Sequence, residues 1–184
     1  MEEAKKFKAF ADAVSIALTC APKTTDIRKC LNGVYCDAAG FVVATNKHVL
    51  AAVKVDIPTG YDNKILTLTY AKAIVKGQES QVDMHELFVN SNYINWRYSI
   101  PKNCFNGNAP APVFSSLVLA QIAAFTKAVA KTRPRKQTAA CLNPTEETGR
   151  GAHVTQIGGA LLLAMPLQNG IESWTGAEAF LSTQ

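Results

Sequence analysis

The chain has 184 residues, a formal net charge of +5, 48% hydrophobic residues and 18% charged residues. That balance suffices for a buried core and excludes wholesale disorder. No apolar run reaches the roughly 18 to 20 residues that cross a bilayer. Residues 1–7 open on acids and lack an apolar leader core, so no secretory signal is expected, and the cysteine usage fits the reducing environment of a cytoplasmic protein. The five cysteines, Cys20, Cys30, Cys36, Cys104 and Cys141, form no CxxC pair and leave one over. This pattern argues against a disulfide framework and against a zinc site, so neither metal nor cofactor is expected. The positive charge permits a polyanionic partner without requiring one.

Residues 4–19 predict an amphipathic helix. Phe7, Phe10, Ala11, Val14 and Leu18 form one stripe, and Lys5, Lys8 and Asp12 lie opposite. Pro22 stops it. Residues 31–57 read as an antiparallel meander with a turn at 37–40, a polar break at 45–47 and Pro58 beyond. Alternation over 65–70 predicts a further strand, and the apolar content of 83–99 predicts more; no second helix is expected between 58 and 105. Three prolines mark 101–112 as a loop. Residues 115–131 predict a second helix, capped by Ser115 or Ser116. Its stripe is Val118, Ile122, Phe125 and Val129, and its other face holds Ala120, Ala124, Lys127 and Lys131. Strands follow at 138–142, 152–157 and 160–167, with Gly158 and Gly159 as a hairpin turn. Residues 169–184 form a tail.

An offset of 111 residues superimposes the two halves. It takes Phe7 to Val118, Ala11 to Ile122, Val14 to Phe125 and Leu18 to Val129. It also takes Cys30, Leu31, Asn32 to Cys141, Leu142, Asn143, and Val43 to Val154. A helix followed by three strands therefore occurs twice. Each unit has one helix face and one sheet face to bury. Two such units sharing a sheet, with both helices on one side, make an α+β layer architecture. The expected organisation is a single domain over 1–184: half-unit 1–57, intervening strands and loop 58–112, half-unit 113–168, and the tail. Two abbreviated domains are the alternative.

Four motifs carry a resemblance. Leu31, Asn32, Gly33, Val34 resembles an L-N-G-V strand. Residues 43–51, VATNKHVLA, resemble V-A-T-D-G-H-R-L-A. Residues 92–101, NYINWRYSIP, resemble F-P-D-Y-R-R-V-I-P, and residues 163–167, LAMPL, resemble a terminal M-P-M-R-L. In this order they resemble the bacterial DNA polymerase III β subunit, or sliding clamp, family. The departures are specific. Asn46 and Lys47 replace Asp-Gly, Val49 replaces Arg, and Gln168 follows Leu167. A Lys where Gly supplies positive φ costs about 1 kcal/mol unless the turn changes.

The resemblance implies a DNA-clamp-like fold of two pseudo-symmetric helix-plus-strand half-units and a non-enzymatic part in DNA replication and processivity. Subunits of such a protein assemble as a homo-oligomer around duplex DNA, and helix lysines and arginines meet phosphates without reading sequence. The candidates are Lys5, Lys8, Lys127, Lys131, Arg133, Arg135 and Lys136, with Lys6 beside them. It also implies a pocket for peptide motifs of polymerases and clamp loaders at Thr45, His48, Leu50, Met165, Pro166 and Leu167. The altered flanks leave an alternative: a clamp-derived module that binds protein without encircling DNA. A hydrolase would need Cys36 or Cys141 to meet His48 or His153 in space; His85 has no partner motif.

Overall fold

The computed structural model describes residues 2–23, 25–100, 114–132, 143–144, 153–157 and 160–165. Helix α1 spans Glu2–Leu18. Phe10 and Val14 are fully buried, Ala13, Ile16 and Ala17 lie beside them, and Phe7, Ala11 and Leu18 pack at the margin. The buried face is thus the expected stripe, widened by Ile16. The amides of Thr19, Cys20 and Ala21 donate to the carbonyls of Ile16, Ala17 and Leu18, so the last turn closes tightly before Pro22.

Three strands follow: β1 (Gly33–Asp37), β2 (Phe41–Thr45) and β3 (Val49–Lys54). They form the expected meander, Tyr35 opposite Val43 and Val43 opposite Ala52. The β1–β2 turn closes with the Gly40 amide on the Asp37 carbonyl at 2.9 Å, Gly40 sitting at φ +85°. β4 (Lys64–Thr67) pairs along the other side of β1. Gly33 is required there, because a Cβ would come within 2.3 Å of the Leu66 carbonyl oxygen.

Two expectations fail in the next stretch. The strand read over 65–70 ends at Thr67, and a helix, α2 (Leu68–Lys76), begins where none was expected. Thr67 caps it by accepting from the Tyr70 amide, and Gly77 ends it in the left-handed region. Leu68, Ala71 and Ile74 have helical spacing, but the alternation before them masks it. The strands read over 83–99 are short 3₁₀ turns, with one bridge between Leu66 and Phe88. The reason is tertiary. Residues 87–89 satisfy the outer edge of β4, with the Thr67 amide on Leu87 O and the Val89 amide on Ile65 O. Trp96 then folds onto the sheet instead of joining it.

Helix α3 (Ser116–Lys131) has Ser115 as its cap, accepting from the Val118 amide at 3.3 Å. β5 (Asn143–Pro144), β6 (His153–Ile157) and β7 (Ala160–Ala164) complete the sheet. Ile157 pairs with Ala160, and the turn expected at Gly158 and Gly159 lies outside the described residues. The loop at 101–112, the run at 138–142 and the tail lie outside the described residues.

Among the described residues all strand pairings are antiparallel, in the order β4-β1-β2-β3-β7-β6-β5. The halves meet at β3 and β7. Val49 faces Ala164, Ala51 faces Leu162 and Val53 faces Ala160. Under the offset of 111, Ala164 is the counterpart of Val53 and Ala160 that of Val49, while Ala51 faces its own counterpart. The exchange is reciprocal, as a pseudo-two-fold axis at Ala51 and Leu162 requires. Val43 opposite Ala52 likewise recurs as Val154 opposite Leu163. The outermost strand breaks the rule: Asn143 faces Val154, whereas Val43 faces Tyr35 and not Asn32.

Helices α1, α2 and α3 lie on one face. α1 packs against β2 and β3, α3 against β7, and α2 against α1, β1 and β4. Their core includes Phe10, Phe125, Val42, Val49 and Leu162. A smaller core on the opposite face joins Val43, Leu50, Ala52, Leu163 and Trp96. No helix among the described residues is long and apolar enough to cross a membrane.

Candidate nucleic-acid and peptide interfaces

Packing of α1 beside α3 brings the predicted lysines of both helices to one outer surface. Lys8, Lys127 and Lys131 edge an open groove of about 530 Å³, floored by Ser15, Thr19, Ala124 and Ala128. Lys5, Lys8, Lys127 and Lys131 are all exposed. Lys8 Nζ lies 3.0 Å from Asp12 and Lys6 Nζ 3.6 Å from Glu2, so α1 carries much of its charge already compensated. Lys5, Lys127 and Lys131 have no ion pair among the described residues. Arg133, Arg135 and Lys136 lie outside the described residues.

The second predicted cluster centres on the turn between β2 and β3. Lys47 occupies φ +81°, the left-handed conformation in which a glycine was anticipated. Its neighbours hold Lys47 there. Thr45 Oγ1 accepts from the Lys47 amide at 3.1 Å and donates to Val49 O at 2.7 Å. Asn46 Oδ1 accepts from the amides of His48 and Val49, and its Nδ2 donates to the buried Gln121 of α3 at 3.0 Å. Lys47 Nζ pairs with Asp26. The Asp26 carboxyl is held below its ordinary range first by that hydrogen bond and then by the Arg28 amide.

The pocket candidates do not behave alike. Leu50 is buried and Met165 half-buried in the smaller core, on the face away from the helices. The Met165 amide donates to His48 O at 2.8 Å, which fixes the end of β7 to the turn. Thr45 stands opposite Leu50, but its hydroxyl is committed to the turn. The His48 side chain is exposed. Thr45, His48, Leu50 and Met165 are therefore brought together at one end of the sheet, and half-buried Leu161 and Val154 extend that apolar face. Pro166 and Leu167 lie outside the described residues.

Residues 93–100 cover the rest of this face. Tyr93 stacks on Tyr35, with ring centroids 4.7 Å apart, and Trp96 packs on Phe41. Asp37, 5% exposed, accepts from Trp96 Nε1 at 2.9 Å and from Arg97 at 2.7 Å. Burial alone would raise the Asp37 carboxyl; the hydrogen bonds from Arg97, the Ala39 amide and Trp96 outweigh it and bring it below its usual range. Sequence reasoning missed this linkage, since 59 residues separate its members. It also missed the buried Gln121, which sits within the α3 stripe where an apolar residue is the rule, and Lys72, which only the existence of α2 places on the helix side.

The nucleophile expected of a hydrolase is not supported at Cys36. Burial pushes its thiol up to about 12, as it does that of Cys20, so neither supplies a thiolate near neutral pH. Cys141 lies outside the described residues. Among the described residues no group of His, Cys, Asp and Glu is arranged to hold a metal ion.

No family model and no curated protein matches the chain. Solved structures do. A DNA polymerase III β subunit from Thermotoga maritima superimposes with a TM-score of 0.61 at 11% identity, covering 88% of this chain and 64% of that one. The Helicobacter pylori β clamp bound to a DNA ligase peptide gives 0.60 at 13%, covering 87% and 63%. The Borrelia burgdorferi β subunit, in complex with a natural product, gives 0.59 at 12%, covering 88% and 61%. The chain thus has the α+β fold of bacterial DNA clamps and spans less than two thirds of their length.

Proposed function

We propose that the protein is a clamp-like accessory factor of DNA replication and processivity. It contacts duplex DNA phosphates through the outer faces of α1 and α3, and it docks peptide motifs of replication partners at the end of the sheet. The observation that carries this reading is the side-by-side placement of two lysine-bearing helices on one face of a continuous sheet, Lys127 and Lys131 having no acidic partner among the described residues. Phosphate contacts of this kind give affinity without base readout. One copy cannot surround a duplex, so encirclement needs a homo-oligomer. The continuous sheet supports treating 1–184 as one unit, and the role is one of binding rather than catalysis. The ligase peptide on the Helicobacter pylori clamp supports the docking half of the proposal. So does the apolar, half-buried setting of Met165, a side chain that adapts to exchangeable partners.

The test is charge reversal. Lys127→Glu with Lys131→Glu should weaken duplex retention at least tenfold at low salt, with an unchanged melting temperature, because both side chains are exposed. Unchanged retention would overturn the DNA half of the proposal. A protein-binding module without encirclement would then be the better reading, a view that the Lys8–Asp12 and Lys6–Glu2 pairs on α1 already favour.

A further inference from the structure

We infer that the pocket between the end of α1, the start of α2 and the first half of α3 binds a small organic carboxylate, an apolar body with one anionic head. The pocket measures about 400 Å³, within the roughly 300 to 1,000 Å³ of small-molecule sites. Leu18, Pro22, Leu68 and Ala120 give it apolar walls. Lys23 and Lys72 also line it, and none of its described lining residues is acidic. Both lysines are exposed and have no ion pair among the described residues.

The group that points to an anion is Gln121, which is 4% exposed and lines the pocket. Asn46 distinguishes its two ends. Asn46 Oδ1 accepts from the His48 and Val49 amides, so Asn46 meets Gln121 with its Nδ2 donor, and Gln121 accepts through Oε1 at 3.0 Å. Gln121 Nε2 is left without a hydrogen-bond partner among the described residues. A buried donor left unmade is costly, and an acceptor in the pocket removes that cost. Two carboxylate oxygens suit the amide nitrogen and the two ammonium groups, which also balance a single negative charge. A phosphate brings more oxygens than these donors satisfy, and the remainder would lie against Leu68 and Pro22. The apolar walls call for a hydrocarbon or aromatic body. Neither the DNA nor the peptide reading requires this site.

The test titrates the full chain, isotopically labelled at nitrogen, with naphthoate and with the neutral naphthylmethanol, followed by two-dimensional NMR. Naphthoate should shift the Gln121 side-chain amide and, through Asn46, the backbone amides of His48 and Val49. The alcohol should bind about tenfold more weakly, the ratio expected between hydrogen bonds to charged and to neutral acceptors. Lys23→Gln with Lys72→Gln, at two exposed positions, should weaken naphthoate about fivefold and leave the alcohol unchanged. Gln121→Glu keeps an acceptor for Asn46 but replaces the donor with a second oxygen, and it should abolish naphthoate binding. Should that variant fail to fold, the lysine pair decides by itself. Equal affinity for the acid and the alcohol, no saturable shift at Gln121, or unchanged naphthoate binding in the lysine variant would each overturn the site.

Discussion

Lys47 holds a conformation that a side chain disfavours, and its hydrogen-bonded neighbours maintain it. Lys47→Gly removes that strain but gives up the half-exposed pair with Asp26 and adds unfolded-chain freedom. These effects nearly cancel, so stability should stay within about 1 kcal/mol. Lys47→Val, β-branched at φ +81°, should cost roughly 1 to 3 kcal/mol. Equal denaturant midpoints for the two variants would show that the turn does not impose its geometry. Asp37 offers a second residue-scale test. Its carboxyl is depressed in the folded state, so its contribution is complete above the unfolded value of about 3.9 and is lost as pH falls through the lower folded value. Asp37→Ala should cost about 2 kcal/mol near neutrality, because Trp96 Nε1 loses its partner. The gap from the parent should narrow in acid; a gap that widens below pH 4 would contradict the assignment.

At the scale of elements, α2 is the informative case. Its cap, Thr67, also donates to Glu86 O at 2.6 Å, so one hydroxyl ends β4, starts α2 and ties down residues 86–89. Thr67→Ala should therefore cost somewhat more than the ordinary cap loss of about 1 kcal/mol, and hydrogen exchange should quicken in both α2 and residues 86–89. Exchange confined to α2 would show that the cap acts alone. The sequence made α1, α3, the meander and the pairing of β6 with β7 legible, because each has an unbroken period, with Pro22 stopping α1 and Gly40 turning the meander. α2 was hidden because Ile65, Leu66 and Thr67 belong to a strand whose alternation runs into the helix without a break. The 83–99 stretch was misread because its aromatics serve the second core by folding over the sheet, a role that local periodicity cannot distinguish from a strand. The exposure of the helix lysines was legible, whereas the close approach of Gly33 to the Leu66 carbonyl was not, since it depends on the pairing of β1 with β4.

At the scale of the molecule, the helix layer and the outer apolar face communicate through one turn. Asn46 reaches Gln121 beneath the helices, and His48 O holds Met165 on the opposite side. One turn, Asn46 to His48, thus ties α3 to the end of β7 across the sheet.

The reciprocal register at Ala51 and Leu162 has a consequence for how the chain can be divided. The central seam joins segments far apart along the polypeptide, and neither β3 nor β7 satisfies its edge without the other. Fragments 1–100 and 114–184, expressed together, should reconstitute the fold by complementation, and each alone should aggregate or stay unfolded. Two intact copies at high concentration should likewise exchange halves into an intertwined dimer, and recovery of a folded, soluble 1–100 fragment on its own would refute this.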